Sequence, residues 1–158
     1  TWNELDRGVW SREKLLQSFI KEAPDLEQEI RLVFSDLSTI VRKFPKSDSW
    51  VQSLKDRGYH VYYLSNYSSH VRKDTEKELT FMKLMDGGIM SYEVQLIKPD
   101  LIIYQTLMER YDLQPEECVF LDDTKANIDG ALRAGMQGIL VKTQEQAMQD
   151  LDELLKTN

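Results

Sequence analysis

The stretch that decides the fold is Val61-Tyr62-Tyr63-Leu64-Ser65-Asn66. Its first four residues are apolar or aromatic and favour β-structure, as expected of a strand that is buried on both faces. Two similar runs follow at 119–121 and 139–141, and patterns typical of helices lie between them. This alternation predicts an α/β fold, namely a Rossmann-like parallel sheet with helices on both faces.

The first 57 residues are predicted to be helical instead. Ser11 can cap a helix that ends before Pro24. Asp25 can cap a second helix, because apolar residues recur at helical spacing as far as Val41, and Ser47 can cap a third. Further helices are predicted from about residue 69 and at about 99–108, 128–134 and 145–155, with a short β-like stretch between 87 and 97.

Composition excludes several classes of protein. The 158 residues are 41% hydrophobic and 30% charged, which is typical of one globular domain and excludes disordered and collagen-like chains. The formal net charge of −7 disfavours unspecific binding to nucleic acid or to anionic lipid. The apolar runs are too short to span a bilayer, and the single cysteine, Cys118, allows no internal disulfide. We therefore expect a cytoplasmic protein with no nucleic-acid or membrane partner.

Polar residues with useful chemistry follow the predicted strands. Parallel sheets bind their ligands beyond the carboxyl ends of the strands, where Ser65 and Asn66 end one run and Asp122 and Asp123 end another. A hydroxyl and an amide at such a turn suit phosphate, and two adjacent carboxylates suit a hard cation such as Mg²⁺. Lys98, at a helix entry, could screen both charges. The alternatives are a helix cap, a turn and a solvated surface lysine.

These motifs resemble, in their combination, those of the haloacid dehalogenase-like hydrolases. The resemblance rests on 61–66, on Ile97-Lys98-Pro99-Asp100, and on 119–123 with Asn127 after it. The sequence is most similar to the small-capped phosphatases of that superfamily, and Arg7-Gly8-Val9-Trp10-Ser11 is similar to part of their cap. The resemblance implies residues 1–45 as a partial helical cap and 46–158 as the α/β core.

The resemblance also implies a role for each candidate residue. Ser65 and Asn66 would bind the phosphoryl group, and the catalytic residue Lys98 would stabilise the negative charge on nucleophile and phosphate. Asp123 would be the direct ligand of Mg²⁺, with Asp122 and Asn127 orienting the water molecules around the metal. This division suits phosphoryl transfer, which depends on positioning and charge neutralisation.

The aspartate nucleophile of the family has no convincing counterpart in the sequence. Asp36 lies in 33–41, but the apolar residues there have helical spacing, and the segment is too close to Ser65 to leave room for a cap. Asp36 is therefore predicted to be a surface acid. We expect a chain that is truncated at its N-terminus and lacks the family's first strand, whose place is central in the sheet. An N-terminal fragment or a second copy is expected to fill that place.

The function predicted from sequence is an Mg²⁺-dependent phosphatase of small phosphorylated metabolites, sugar phosphates included, that works through an aspartyl-phosphate. Without its nucleophile, the 158-residue chain alone is expected to be inactive. A non-catalytic binding or regulatory protein with the same fold is the alternative. A phosphorelay receiver domain combines the same residue types, but the chain order is wrong, because receivers place the acid pair first and the lysine last.

Overall fold

The protein is described by a computed structural model that covers residues 2–157, the side chain of residue 157 excepted. Its residues form two compact units, Thr1–Ile97 and Lys98–Asn158. The first unit holds α1 (Trp2–Asp6), α2 (Arg12–Glu22), α3 (Glu27–Ser35), α4 (Ser47–Asp56), β1 (Tyr62–Ser65), α5 (Ser69–Asp74), β2 (Gly87–Met90) and α6 (Ser91–Val94). The second holds α7 (Leu101–Tyr111), β3 (Val119–Asp122), α8 (Lys125–Arg133), β4 (Gln137–Leu140) and α9 (Gln144–Thr157).

The helix predicted after Ser11 is confirmed as α2. The Ser11 hydroxyl accepts a hydrogen bond from the backbone N–H of Lys14 at 3.2 Å, which satisfies one of the unpaired donors at the helix start. One face of α2 is buried, and its apolar side chains belong to a cluster of Leu5, Leu15, Leu16, Ile20, Phe34, Leu37 and Val71. This cluster is the core of the helical part of the first unit.

The second predicted helix is shorter than its apolar spacing indicated. It begins after a 3₁₀ turn, Pro24–Leu26, and ends at Ser35 instead of continuing to Val41. Asp36 leaves the helical conformation, and its carboxylate accepts the backbone N–H of Ser38 at 2.8 Å. Such a local bond competes with the helix and ends it. Asp36 is exposed, as predicted.

The stretch 61–66, on which the predicted fold rests, contains β1, and this strand pairs in parallel with β2. Within β1 only Leu64 is buried, so the prediction of a strand buried on both faces was wrong for its other residues. The β-like stretch predicted as far as Ile97 is also shorter, because β2 ends at Met90 and α6 begins at Ser91. Ser65 pairs with Met90 in the register, which places the carboxyl ends of the two strands side by side.

The second unit has the predicted order of helices and parallel strands. β3 and β4 pair in parallel with Asp122 opposite Leu140, and α7 and α8 pack on each other. Tyr104 of α7 and Ala131 of α8 are completely buried between these elements. The α/β fold with parallel strands is therefore confirmed.

The strands of the described residues form two sheets of two strands each, β1–β2 and β3–β4. A further strand in the sheet stays a prediction, as does a cap boundary at residue 45, which differs from the division after Ile97. Of the helices in the described part, none combines the length and apolarity that crossing a membrane requires.

Candidate functional site

The carboxyl end of β3 carries the two predicted acidic residues in contrasting environments. Asp122 is the last residue of the strand and is buried, with 7% of its side chain exposed. Asp123 follows it in the turn to α8 and is exposed. A buried carboxylate needs a cation to balance its charge and hydrogen-bond donors for its oxygens, whereas an exposed carboxylate stays hydrated.

Asp122 is held by three donors of the second unit. The ammonium of Lys98 lies 2.6 Å from Oδ2, while the backbone N–H of Thr124 and the amide of Asn127 donate to Oδ1 at 2.8 and 2.9 Å. The bond to Thr124 is a two-residue turn, so the turn alternative for Asp122 holds alongside the ion pair. The structure thus brings Lys98, Asp122 and Asn127 together, and the roles that the resemblance implies for them stay predictions.

Lys98 is buried, with 8% of its side chain exposed, so the alternative of a solvated surface lysine was wrong. A buried ion pair is stable only where both charges are well paired and further hydrogen bonds are made. Asp122 meets that condition through Thr124 and Asn127.

Two aromatic residues, Phe120 and Tyr104, pack around Lys98 and Asn127, and neither was among the predicted site residues. The Lys98 ammonium lies 5.3 Å from the centre of the Phe120 ring, and Tyr104 packs edge-on against that ring at 5.5 Å. The Tyr104 hydroxyl donates to the backbone carbonyl of Asn127 at 2.7 Å. Burial, and after it the charge of Asp122, raises the pKa of Tyr104, so it remains a neutral donor.

The signal for Phe120 was present in the sequence. Side chains alternate along a strand, so Phe120 and Asp122 share one face of β3 and can contact the same partner. Tyr104 had no such signal, because its contact with Asn127 depends on how α7 and α8 pack.

Ser65 and Asn66 lie in the first unit, at the carboxyl end of β1, and both are half-buried. The following helix, α5, is capped by Ser68, whose hydroxyl accepts the backbone N–H of Val71 at 3.2 Å. The helix-cap alternative for Ser65 and Asn66 was therefore wrong. The position of both residues fits the predicted phosphate role, which stays a prediction.

The acidic residues at the end of β3 offer few ligands to a metal ion. Among the described residues, no group of three or more His, Cys, Asp or Glu side chains could hold a metal ion. Both oxygens of Asp122 already accept protein donors, whereas the contact shown for the Asp123 carboxylate within the described residues is with the Thr124 hydroxyl, 3.3 Å from Oδ1. These contacts fit Asp123 as a direct ligand of a metal ion. They fit Asp122 as a residue that holds the surroundings of the metal in place without binding it directly.

Comparison with known proteins gives this site a context. The model of a haloacid dehalogenase-like hydrolase family matches residues 5–135. The chain is 26% identical to mouse acyl-CoA dehydrogenase family member 10 over 98% of its own length but spans only 15% of that protein. It is also 25% identical to the sesquiterpene phosphatase astK of Aspergillus oryzae, over 88% of this chain and 71% of the phosphatase.

Among solved structures, the chain is similar to a variant of a HAD family enzyme from Bacteroides thetaiotaomicron in complex with magnesium and inorganic phosphate. The TM-score is 0.71, the identity 19%, and the match covers 89% of this chain and 72% of the other. At this identity the similarity shows the fold alone, and it supports the Rossmann-like architecture predicted from the strand order.

Proposed function

Because the chain belongs to the haloacid dehalogenase-like hydrolases, we propose that it acts in the Mg²⁺-dependent hydrolysis of small phosphorylated metabolites, sugar phosphates included. The observation that carries this proposal is the buried group of Lys98, Asp122 and Asn127 beside the exposed Asp123. The chain belongs to a family of hydrolases and is similar to a phosphatase. Both findings support a phosphate ester as the substrate class.

Each residue has a part in the proposed reaction. Asp123 binds Mg²⁺, which supplies positive charge to the phosphate oxygens when bound. Asp122 and Asn127 hold the surroundings of Asp123 in one geometry through their mutual hydrogen bond of 2.9 Å. Lys98, which is paired with Asp122, would place its ammonium group near the developing negative charge, and burial would strengthen that interaction relative to an exposed lysine.

The small number of acids is compatible with Mg²⁺. This ion keeps several water molecules in proteins and is commonly held by one or two carboxylates together with the oxygens of a bound phosphate. A single carboxylate ligand from the protein, that of Asp123, is therefore compatible with a Mg²⁺ site.

Ser65 and Asn66 are the proposed donors to the transferring phosphoryl group. A hydroxyl and an amide at the carboxyl end of β1 can donate to two phosphate oxygens at once. Their half-buried position allows access to a ligand while keeping part of each side chain fixed.

The proposed aspartyl-phosphate needs a nucleophilic carboxylate, which we assign to no residue of this chain. We propose that it arrives on a further strand, contributed by another segment of the protein or by a second copy. Within the described residues, β3 pairs on one edge only, with β4, so its other edge has backbone groups that such a strand could bond.

The test compares two acidic residues of the second unit, Asp123 and Asp129. In the protein, Asp123→Asn is expected to lower Mg²⁺-dependent hydrolysis of a generic phosphate ester by at least about 100-fold. Asp129→Asn is the matched control, since Asp129 is also acidic and its side chain is 44% exposed in an ion pair with Lys125. The control is expected to keep full turnover.

Two results would decide against parts of the proposal. Equal turnover in Asp123→Asn and the wild type would contradict the metal assignment. Absence of turnover in the wild type, together with Mg²⁺-dependent binding of inorganic phosphate by calorimetry, would favour the non-catalytic binding protein.

A further inference from the structure

Ser91 is a completely buried serine at the start of α6, with 0% of its surface exposed. It directly follows Met90, the residue that pairs with Ser65 in the sheet register. A serine with no access to water must satisfy its hydroxyl inside the protein, so its partners show what it holds in place.

The Ser91 hydroxyl joins three segments of the first unit. Its oxygen accepts the backbone N–H of Tyr67 at 2.8 Å, and its proton has two acceptors, the carbonyl of Asp6 at 2.6 Å and that of Tyr67 at 3.2 Å. The hydroxyl has one proton, and the shorter contact is the better acceptor. Ser91 therefore links the loop after β1 to the end of α1.

Tyr67 is also fixed at its other end. Its phenol lies 2.6 Å from the hydroxyl of Thr75, which is 1% exposed and donates to the carbonyl of Val71 at 2.7 Å. The residue that follows Asn66 is thus held through both its backbone and its side chain. A chain fixed at this point restricts the peptide between Asn66 and Tyr67.

We propose that Ser91 is a positioning residue for the proposed phosphate-binding pair, Ser65 and Asn66, an inference that rests on the proposed function. By holding the N–H of Tyr67, Ser91 fixes the loop in one conformation before a ligand arrives. Preorganised donors avoid the cost of ordering on binding. The N–H of Tyr67 is consequently used by Ser91 and does not contact phosphate.

The first measurement tests the contact without any ligand. In Ser91→Ala, hydrogen exchange of the Tyr67 amide, followed by NMR, is expected to accelerate at least about tenfold, because its acceptor is gone. Ser68→Ala is the matched control: Ser68 is equally buried, at 1%, and accepts the amide of Val71 instead. There the Val71 amide is expected to accelerate while that of Tyr67 does not.

The second measurement tests positioning. Titration with inorganic phosphate and Mg²⁺, observed at the Asn66 amide, is expected to give a Kd about tenfold higher in Ser91→Ala and a smaller increase in Ser91→Cys, which keeps a weak donor and acceptor. Ser68→Ala is expected to bind as the wild type does. Thermal melts verify that each variant is folded, and Ser91→Cys serves if Ser91→Ala is not.

The outcomes separate the two proposals. Unchanged exchange at Tyr67, or faster exchange with unchanged phosphate affinity, would overturn the role of Ser91. If the wild type shows no phosphate-dependent change at Asn66, the proposed function of the loop fails, whereas the exchange data still report whether Ser91 holds it.

Discussion

Burial decides the environment of each acidic side chain at the end of β3. Asp122 and Asp123 are adjacent in the sequence, yet one accepts three protein hydrogen bonds and the other lies exposed in a turn. Position at the end of β3 was predictable, since an apolar run followed by acids indicates a strand end. The environment of each acid was not, because it depends on Lys98 and Asn127, which reach Asp122 only in the folded chain.

The ion pair between Lys98 and Asp122 is expected to matter for stability. Lys98→Met leaves the Asp122 carboxylate buried without its cation, and breaking such a pair costs about 3–5 kcal/mol. The double variant Lys98→Met/Asp122→Asn is expected to recover most of the loss, because the Asn127 and Thr124 donors can still bond an amide oxygen. Urea unfolding measures both. A loss below about 1 kcal/mol in the single variant would contradict a buried, paired charge.

At the scale of elements, the short parallel strands were predictable from their composition, but their ends were not. β1 and β2 run close enough that a Cβ on Gly88 would lie 2.2 Å from the backbone oxygen of Tyr63. No sequence pattern gives that distance. Likewise, α3 ends at Ser35 although apolar residues continue at helical spacing, because Asp36 bonds Ser38 instead.

Gly88→Ala is therefore expected to destabilise the first unit by about 3 kcal/mol or more, since backbone must move to relieve the contact. Gly58→Ala provides the comparison. Gly58 has a φ of +87° but no atom within 4 Å of a Cβ, so only the left-handed conformation opposes alanine, at a cost of about 1 kcal/mol. Thermal unfolding with circular dichroism distinguishes them, and equal losses would show that the strand contact does not limit residue 88.

For the whole molecule, sequence order was enough to predict the parallel α/β class, since strands and helices alternate from Val61 onward. The division into units at Ile97 was not predictable, because no linker composition marks it. The net charge of −7 indicated a molecule that repels anions, but it gave no sign that one of its acids is buried in the first unit.

That acid, Asp6, makes the stability of the molecule depend on pH. Burial raises the pKa of Asp6 from 3.8 to about 6. Well below pH 3.8 the carboxyl is protonated in both folded and unfolded chains. As the pH rises from 3.8 through about 6, the unfolded chain releases its proton first, so the free energy of unfolding falls, by up to about 3 kcal/mol above that range.

Asp6→Asn removes this dependence, because the amide has no charge to bury. We expect the variant to be more stable than the wild type at pH 7 and nearly equal to it at pH 4, as measured by urea unfolding at both values. A variant that is less stable at pH 7 would show that the ionised carboxylate is stabilised in the folded chain.

The ion pair at β3 also has a consequence for the order in which ligands bind. Lys98 and Asp122 sum to zero charge, so these two and the exposed Asp123 together leave a net negative charge at the strand end. An anion that approaches first is repelled, whereas a divalent cation is attracted and reverses the sign of the field. For the proposed reaction we therefore expect a compulsory order of binding, with the metal ion binding before the phosphate ester and leaving after it.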